Sequence, residues 1–202
     1  MNKFDSVMMD TAITWAKQSY CKRRKVGAIL AKDGRVVSNG YNGTASGGDN
    51  GCEELVDTCP SCGKSFIYDD KNPDNNEVST HKCSCGATID YTLDFLEKNK
   101  SKFLKSKDSV IHAEANTILF AAKNGISTNG CTLYVTLSPC IECSKMIIQS
   151  GIKRVVYLSE YRVTTGIDFL INNSIQVDQI SHKDADEDLD SFLRDDGISV
   201  CS

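Results

Sequence analysis

Thr132-Leu133-Tyr134-Val135-Thr136-Leu137-Ser138-Pro139-Cys140-Ile141-Glu142-Cys143 decides the architecture of this chain. Thr132–Thr136 reads as a strand and Cys140–Ser150 as a helix, with Pro139 at the helix entry, where a missing N–H costs nothing. Outward from there, Arg154–Leu158 reads as a strand, a helix lies near Asp168–Asn172, and Ile175–Ile180 reads as a strand. In the other direction Ile111–Lys123 reads as a helix that ends at the C-cap signal Asn124-Gly125. Val26–Ala31 and Arg35–Tyr41 form a hairpin about Asp33-Gly34. Ser6–Ser19, with Val7, Ala12, Ile13, Trp15 and Ala16 among polar positions, predicts an amphipathic first helix. Strands alternating with helices predict an α/β layered fold with helices on both faces of one sheet.

Two regions interrupt that alternation. Gly40–Gly48 holds too many glycines for either element and reads as a loop. Asp57–Lys107 is polar, carries two close cysteine pairs and the run Lys71-Asn72-Pro73-Asp74-Asn75-Asn76, and reads as an insertion into a domain spanning residues 1–182. Residues 183–202 form an acidic tail, with Asp184, Asp186, Glu187, Asp188 and Asp190, expected to be solvated or loosely docked. No internal repeat is present.

The 202 residues suit one domain with an insertion, and 40% hydrophobic with 25% charged residues is the composition of a soluble globular protein. A net charge of −4 argues against non-specific nucleic-acid binding. No apolar stretch approaches the roughly 20 residues that span a bilayer, and the N-terminus lacks a signal-peptide pattern, so the expected compartment is the cytoplasm, or the host cytoplasm for a viral chain. Ten cysteines are many for that compartment. Reducing conditions disfavour a disulfide framework, so the close pairs Cys59/Cys62, Cys83/Cys85 and Cys140/Cys143 read first as metal ligands. Cys131 and Cys201 suit small buried hydrophobes.

His112-Ala113-Glu114 and Pro139-Cys140-Ile141-Glu142-Cys143 carry the chemistry, each at a helix start. Cysteines at i and i+3 share a helix face and can hold one ion, and the free N–H groups of a helix start favour thiolates. His112 supplies a third ligand. Three protein ligands leave the fourth position of a tetrahedral zinc to water, the pattern of a catalytic site. Glu114, at i+2 from His112, is an awkward co-ligand but can lean into the cavity and relay protons. Histidine, glutamate and the cysteine pair in this order form the signature of zinc-dependent base deaminases. Taken singly, His112 is an ordinary satisfied histidine, and Cys140/Cys143 is half a structural zinc site or a redox pair.

Val26-Gly27-Ala28, Gly40-Tyr41-Asn42-Gly43 with Gly47-Gly48, Ile111-His112-Ala113-Glu114-Ala115-Asn116, Leu119-Phe120-Ala121-Ala122, Tyr134-Val135-Thr136-Leu137-Ser138-Pro139-Cys140 and Gln149-Ser150-Gly151-Ile152-Lys153 resemble the deoxycytidylate (dCMP) deaminase family, especially its phage branch. The resemblance covers most of the chain outside the insertion and the tail. It implies the cytidine deaminase fold, a five-stranded mixed sheet with helices on both faces. It implies that His112, Cys140 and Cys143 hold catalytic zinc and that Glu114 shuttles protons. The Ala113 N–H would bind the pyrimidine carbonyl, Asn42 the deoxyribose, and Tyr161 the substrate, although Tyr161 also reads as an interface aromatic. The implied reaction turns dCMP into dUMP and ammonia, a step toward thymidylate. The family also implies a homohexamer activated by dCTP and inhibited by dTTP, with Mg2+ accompanying the nucleotide effectors. Lys25, Asn42 and Lys123 are the positions associated with that regulation, and ordinary solvated charge is the other reading of both lysines.

Phage relatives hold a second, structural zinc through a cysteine matching Cys21 and an acidic residue two before the zinc histidine. Here that acidic position is Val110, which cannot ligate. Cys59-Pro60-Ser61-Cys62 and Cys83-Ser84-Cys85-Gly86 instead resemble the knuckles of a zinc ribbon. Four thiolates in a segment too polar to form its own core predict a closed structural zinc site. A mixed site drawing on Cys21, Cys52 or His81, and unbound surface cysteines, are the alternatives. Competing functions are a deaminase of the same fold acting on tRNA adenosine or on cytosine in nucleic acid, and a non-catalytic, zinc-stabilised nucleotide-binding module.

Overall fold

A computed structural model describes residues 3–68 and 78–181. The run Lys71–Asn76, the acidic tail and Cys201 lie outside the described residues. Helix α1 (Lys3–Ala16) leads into β1 (Gly27–Lys32) and β2 (Arg35–Tyr41). The turn between these strands places Asp33 at φ 50° and Gly34 at φ 72°, the left-handed pair that a two-residue hairpin requires. Next comes β3 (Glu53–Thr58), which runs into the insertion, followed by β4 (Ser65–Ile67), β5 (Ser79–Lys82), β6 (Thr88–Tyr91), α2 (Leu93–Lys98), α3 (Lys100–Phe103) and β7 (Leu104–Ser106). The chain then completes its core with α4 (Ala113–Lys123), β8 (Thr132–Leu137), α5 (Ile141–Gln149), β9 (Arg154–Ser159), α6 (Thr165–Asn172) and β10 (Gln176–Gln179).

The main sheet has five strands in the order β10-β9-β8-β1-β2. β1 runs antiparallel to both β2 and β8, whereas β8, β9 and β10 are mutually parallel. This is the mixed five-stranded sheet with helices on both faces that the resemblance implies. The period of two is visible in burial. Ala28, Leu30, Leu133, Val135, Val155 and Tyr157 face the layer of α4, α5 and α6. Ile29, Ala31, Tyr134, Val156 and Leu158 face α1. Gly27 lets α1 lie directly on β1, because an added Cβ would stand 2.0 Å from the Ala12 carbonyl. Among the described residues no helix is long and apolar enough to cross a membrane.

Asp5, fully buried, fastens α1 to the sheet. Its carboxylate accepts from Arg154 Nη1 (2.8 Å) and Nη2 (3.1 Å) and from the Tyr134 hydroxyl (2.9 Å), while Arg154 Nε donates to Asp178 on β10. The two carboxylates hold the Arg154 guanidinium firmly charged, with Asp5 the larger influence.

The insertion departs from one expectation, for it does have a core of its own. Leu55, Phe66, Tyr68, Tyr91, Leu96, Phe103 and Leu104 pack together. Tyr68 is the hub, edge-on to Phe66 at 4.9 Å, Tyr91 at 4.7 Å and Phe103 at 5.1 Å. These rings lie in short runs, Phe66-Ile67-Tyr68 and Phe103-Leu104 among them, separated by long polar stretches; the fold gathers them. A three-stranded sheet β4-β3-β7, the β5–β6 hairpin and the short helices α2 and α3 bring them together.

Candidate metal and active site

Helix α4 is seated by small and hydroxylated residues. Gly40 admits it closely, since a Cβ there would meet Thr117 at 2.7–2.8 Å. Ser38 Oγ donates to the Thr117 carbonyl (2.7 Å), and Asn116 Nδ2 donates to the Tyr41 carbonyl (2.7 Å). That seat fixes the first turn, with His112 as N-cap and Ala113 and Glu114 buried behind it. Helix α5 is held just as closely. The Ser144 hydroxyl is shared between the carbonyls of Cys140 (2.9 Å) and Gly166 (3.0 Å). A side chain at Gly166 would run into the Pro139 carbonyl at 2.1 Å. Cys140 is the N-cap of α5, so Pro139 stands just ahead of the helix, and Cys143 lies in the first turn.

The two helix starts therefore point at one spot. His112 Nδ1 lies 3.5 Å from Cys140 Sγ and 3.4 Å from Cys143 Sγ. Tetrahedral zinc, about 2.0 Å from nitrogen and 2.3 Å from sulfur, separates such ligands by about 3.5 Å. The donor set fits zinc in type and spacing. A hydrogen bond from Cys143, seconded by His112, holds the Cys140 thiol down at about 3. The same contact pushes the Cys143 thiol up, and the Cys140 sulfur pulls the His112 imidazole up. Glu114 is 4% exposed, and burial raises its carboxyl. His112, Ala113, Glu114 and Cys140 line a cavity of about 200 Å³ together with Asn42 and Tyr161. A buried carboxylate beside a three-ligand zinc set, in a cavity large enough for a flat ring, is equipped for hydrolysis rather than for structure.

Residues 2–159 match the family described as the cytidine and deoxycytidylate deaminase zinc-binding region. The chain belongs to this family. It is 38% identical to the deoxycytidylate deaminase of Enterobacteria phage T4 over 84% of this chain and 85% of that one. It is 34% identical to the deoxycytidylate deaminase of Mycobacterium phage D29 over 78% of this chain and 95% of that one. Its fold matches the crystal structure of dCMP deaminase from cyanophage S-TIM5 in complex with dCMP and dUMP, with a TM-score of 0.61, 31% identity, and coverage of 89% and 99%.

Asn42 occupies a less simple place in the deaminase than its sequence position implies. Its Oδ1 accepts from the Val26 N–H and its Nδ2 donates to the Arg24 carbonyl, both at 2.8 Å. It lines the cavity, yet it also pins the 24–26 backbone beside it. Tyr161 is held by its own N–H donating to Ser138 Oγ at 2.7 Å. Lys123 lines a separate cleft with Trp15, Tyr41, Phe120 and the glycine loop, whereas Lys25 lines neither cavity. Sequence reasoning missed Arg23, Arg24, Lys107 and Arg162, which all line the cavity that holds Glu114. Lys22-Arg23-Arg24-Lys25 is a basic run in the sequence, with no local signal for where it points.

In the insertion, Cys59 Sγ lies 3.8 Å from Cys85 Sγ, and Cys62 Sγ 3.6 Å from Cys83 Sγ. All four sulfurs fall within 4.8 Å of one another. Sulfurs around tetrahedral zinc stand about 3.8 Å apart, so this set fits a closed site. Each knuckle turns on a glycine in the left-handed region, Gly63 at φ 72° and Gly86 at φ 92°. The Cys85 N–H draws the Cys83 thiol down to about 6. His81 is not part of the set; it stacks on Phe66 at 4.3 Å. Cys21 and Cys52 form a disulfide, against the expectation that the pairing would be absent. The two residues are 31 apart in sequence and meet only because the glycine loop folds back. Glu53 sits beside them and accepts from the backbone N–H groups of Lys22 (2.9 Å) and Arg23 (3.1 Å).

Proposed function

We propose that the chain catalyses hydrolytic deamination of dCMP to dUMP and ammonia. The observation that carries this reading is the buried Glu114 carboxylate in the same cavity as His112 and Cys140, with the Cys143 sulfur grouped against those two. Zinc, when bound by those three residues, supplies the Lewis acidity that makes water a nucleophile at neutral pH. The chain's own groups do the rest. The Ala113 N–H, at the first position of α4 where no helical acceptor exists, holds the pyrimidine carbonyl. Glu114 takes a proton from water and delivers it to ring nitrogen 3, then passes the second proton to the 4-amino group. Oxygen is joined to ring carbon 4, the carbon–nitrogen bond breaks, and ammonia leaves. Burial favours the protonated carboxyl, so Glu114 is a willing proton carrier. Tyr161 closes the side of the cavity where the sugar lies.

The same reading gives the insertion a second, structural zinc on Cys59, Cys62, Cys83 and Cys85. It also places dCTP and dTTP, with Mg2+, in the cleft of Lys123 and the glycine loop. Leu119 and Phe120, exposed on α4 and lining that cleft, are apolar surface that contact between copies in the proposed hexamer would cover. The deciding experiment is ammonia release from dCMP, dCTP, deoxycytidine, cytidine and RNA, with and without dCTP and dTTP. Fastest turnover of dCMP is expected. Turnover of RNA above dCMP would sink the assignment.

A further inference from the structure

We propose that the 5′-phosphate of the substrate is read by a cationic rim of Arg23, Lys107 and Arg162, and that the insertion builds and poses this rim. The inference rests on the nucleotide reading above and extends it to the phosphate. The catalytic cavity is lined by four cations, Arg23, Arg24, Lys107 and Arg162, and by a single carboxylate, Glu114, which the chemistry occupies. The chain as a whole carries −4, so this concentration of positive charge runs against its background. The cations come from three separate places: the approach to β1, the exit from β7, and the loop after β9. Convergence of three segments on one opening suits a compact dianion, and a charged stripe for a polymer would have to lead away from it.

The partners of these cations are weak enough to yield. Arg23 Nη1 reaches only a neutral acceptor, Ser106 Oγ, at 3.3 Å. Lys107 Nζ stands 3.8 Å from Asp49, whose side chain is 87% exposed, a pair of little strength in water. Arg162 is exposed at the cavity edge. A phosphate offers each a charge-assisted bond in place of these. The insertion's role is equally direct. Lys107 follows β7, and its N–H donates to the Cys52 carbonyl (2.9 Å). Ser106 is the last residue of β7 and accepts from Arg23. Glu53, the first residue of β3, fixes the backbone of Lys22 and Arg23. The insertion thus forms one wall of the substrate pocket.

The test compares kcat/KM for dCMP and for deoxycytidine in Arg23→Gln, Lys107→Gln and Arg162→Gln. Lys22→Gln serves as the control, since Lys22 is a neighbouring cation outside the cavity lining. Each rim variant should lose at least about tenfold on dCMP, as expected for a lost charge-assisted bond, with deoxycytidine changed less than about threefold. Arg23→Lys should recover much of the loss, and Lys22→Gln should match the wild type on both substrates. Inhibition by dUMP should weaken in parallel in the rim variants, which reads phosphate binding even where deoxycytidine turnover is too slow to measure. Equal losses on both substrates, an unchanged dUMP inhibition constant, or an equal loss in Lys22→Gln would overturn the rim. Failure of the function reading looks different: the wild type itself would then show no preference for dCMP over deoxycytidine.

Discussion

The catalytic cavity and the insertion both gather cysteines around a point, and they differ in what surrounds the sulfurs. In the cavity three ligands sit at two helix starts locked to a five-stranded sheet, with a buried carboxylate beside them. In the insertion four sulfurs sit on two glycine turns above a small aromatic cluster, and Cys62 and Cys85 are exposed. The first arrangement would persist as geometry without its ion, because Gly40, Thr117, Ser144 and Gly166 hold it. The second rests on a cluster of seven buried hydrophobic residues among those described, so an ion bound there and the fold around it would depend on each other. Number of ligands and rigidity of support thus distinguish a site that works on water from one that excludes it.

The strongest way to break this contrast is Cys59→Ser. Structural zinc contributes on the order of 10 kcal/mol to small domains that depend on it. The variant should lose about one zinc equivalent and the folded insertion, while zinc on His112, Cys140 and Cys143 stays. Metal analysis with protease mapping checks this, and an unchanged zinc count would show that the ribbon cysteines are not a ligand set. Glu114→Gln probes the other side. Turnover should fall by about 10²–10⁴, with zinc content and melting temperature unchanged, because amide and carboxylate share a shape. Near-normal turnover in zinc-loaded protein would remove Glu114 from the mechanism.

Asn42→Ala tests whether the cavity depends on backbone supports as argued. Losing the bonds to Val26 and Arg24 should cost about 1–3 kcal/mol, seen as a tenfold to hundredfold drop in kcat/KM for dCMP together with a lower Tm. A drop in kcat/KM with no change in Tm would assign Asn42 to the sugar alone. The smallest expected effect is that of Gly63→Ala. No atom lies within 4 Å of an added Cβ there, so only the left-handed backbone is penalised, by about 1–2 kcal/mol. The insertion's melting should shift with dCMP turnover unaffected below that melting; loss of turnover there would mean that strain at this turn reaches the pocket wall through the stem.

The core was legible because its signals are local. The short apolar runs in Thr132–Leu137 and Arg154–Ser159, the Asp33-Gly34 turn, His112-Ala113-Glu114 and the Cys140/Cys143 pair each lie within a few consecutive residues. What stayed hidden depends on residues far apart in sequence. Phe66, Tyr68, Tyr91 and Phe103 form a core only after two hairpins have closed. Cys21 meets Cys52 across the glycine loop. Asn42 is expected to face a ligand and does line the cavity, while its amide is also engaged by backbone 16 and 18 residues earlier. The cavity cations arrive from separate segments, and a lysine or arginine carries no local mark of the cavity it will line.

The pairing of Glu53 with Ser106 has a consequence for how such a chain can change over time. The excursion from the core leaves and returns through two adjacent antiparallel residues, so the core sees only a stem. Lengthening or replacing what lies beyond it adds a loop whose closure is already secured at the base, and loop length beyond a closed stem costs little. A graft at this position can therefore be exchanged wholesale without straining the parent scaffold. The stem residues Glu53 and Ser106 also touch the segment of Lys22 and Arg23. Whatever is grafted there inherits a lever on the pocket, and a new module can acquire influence over substrate choice before it evolves any contact with substrate of its own.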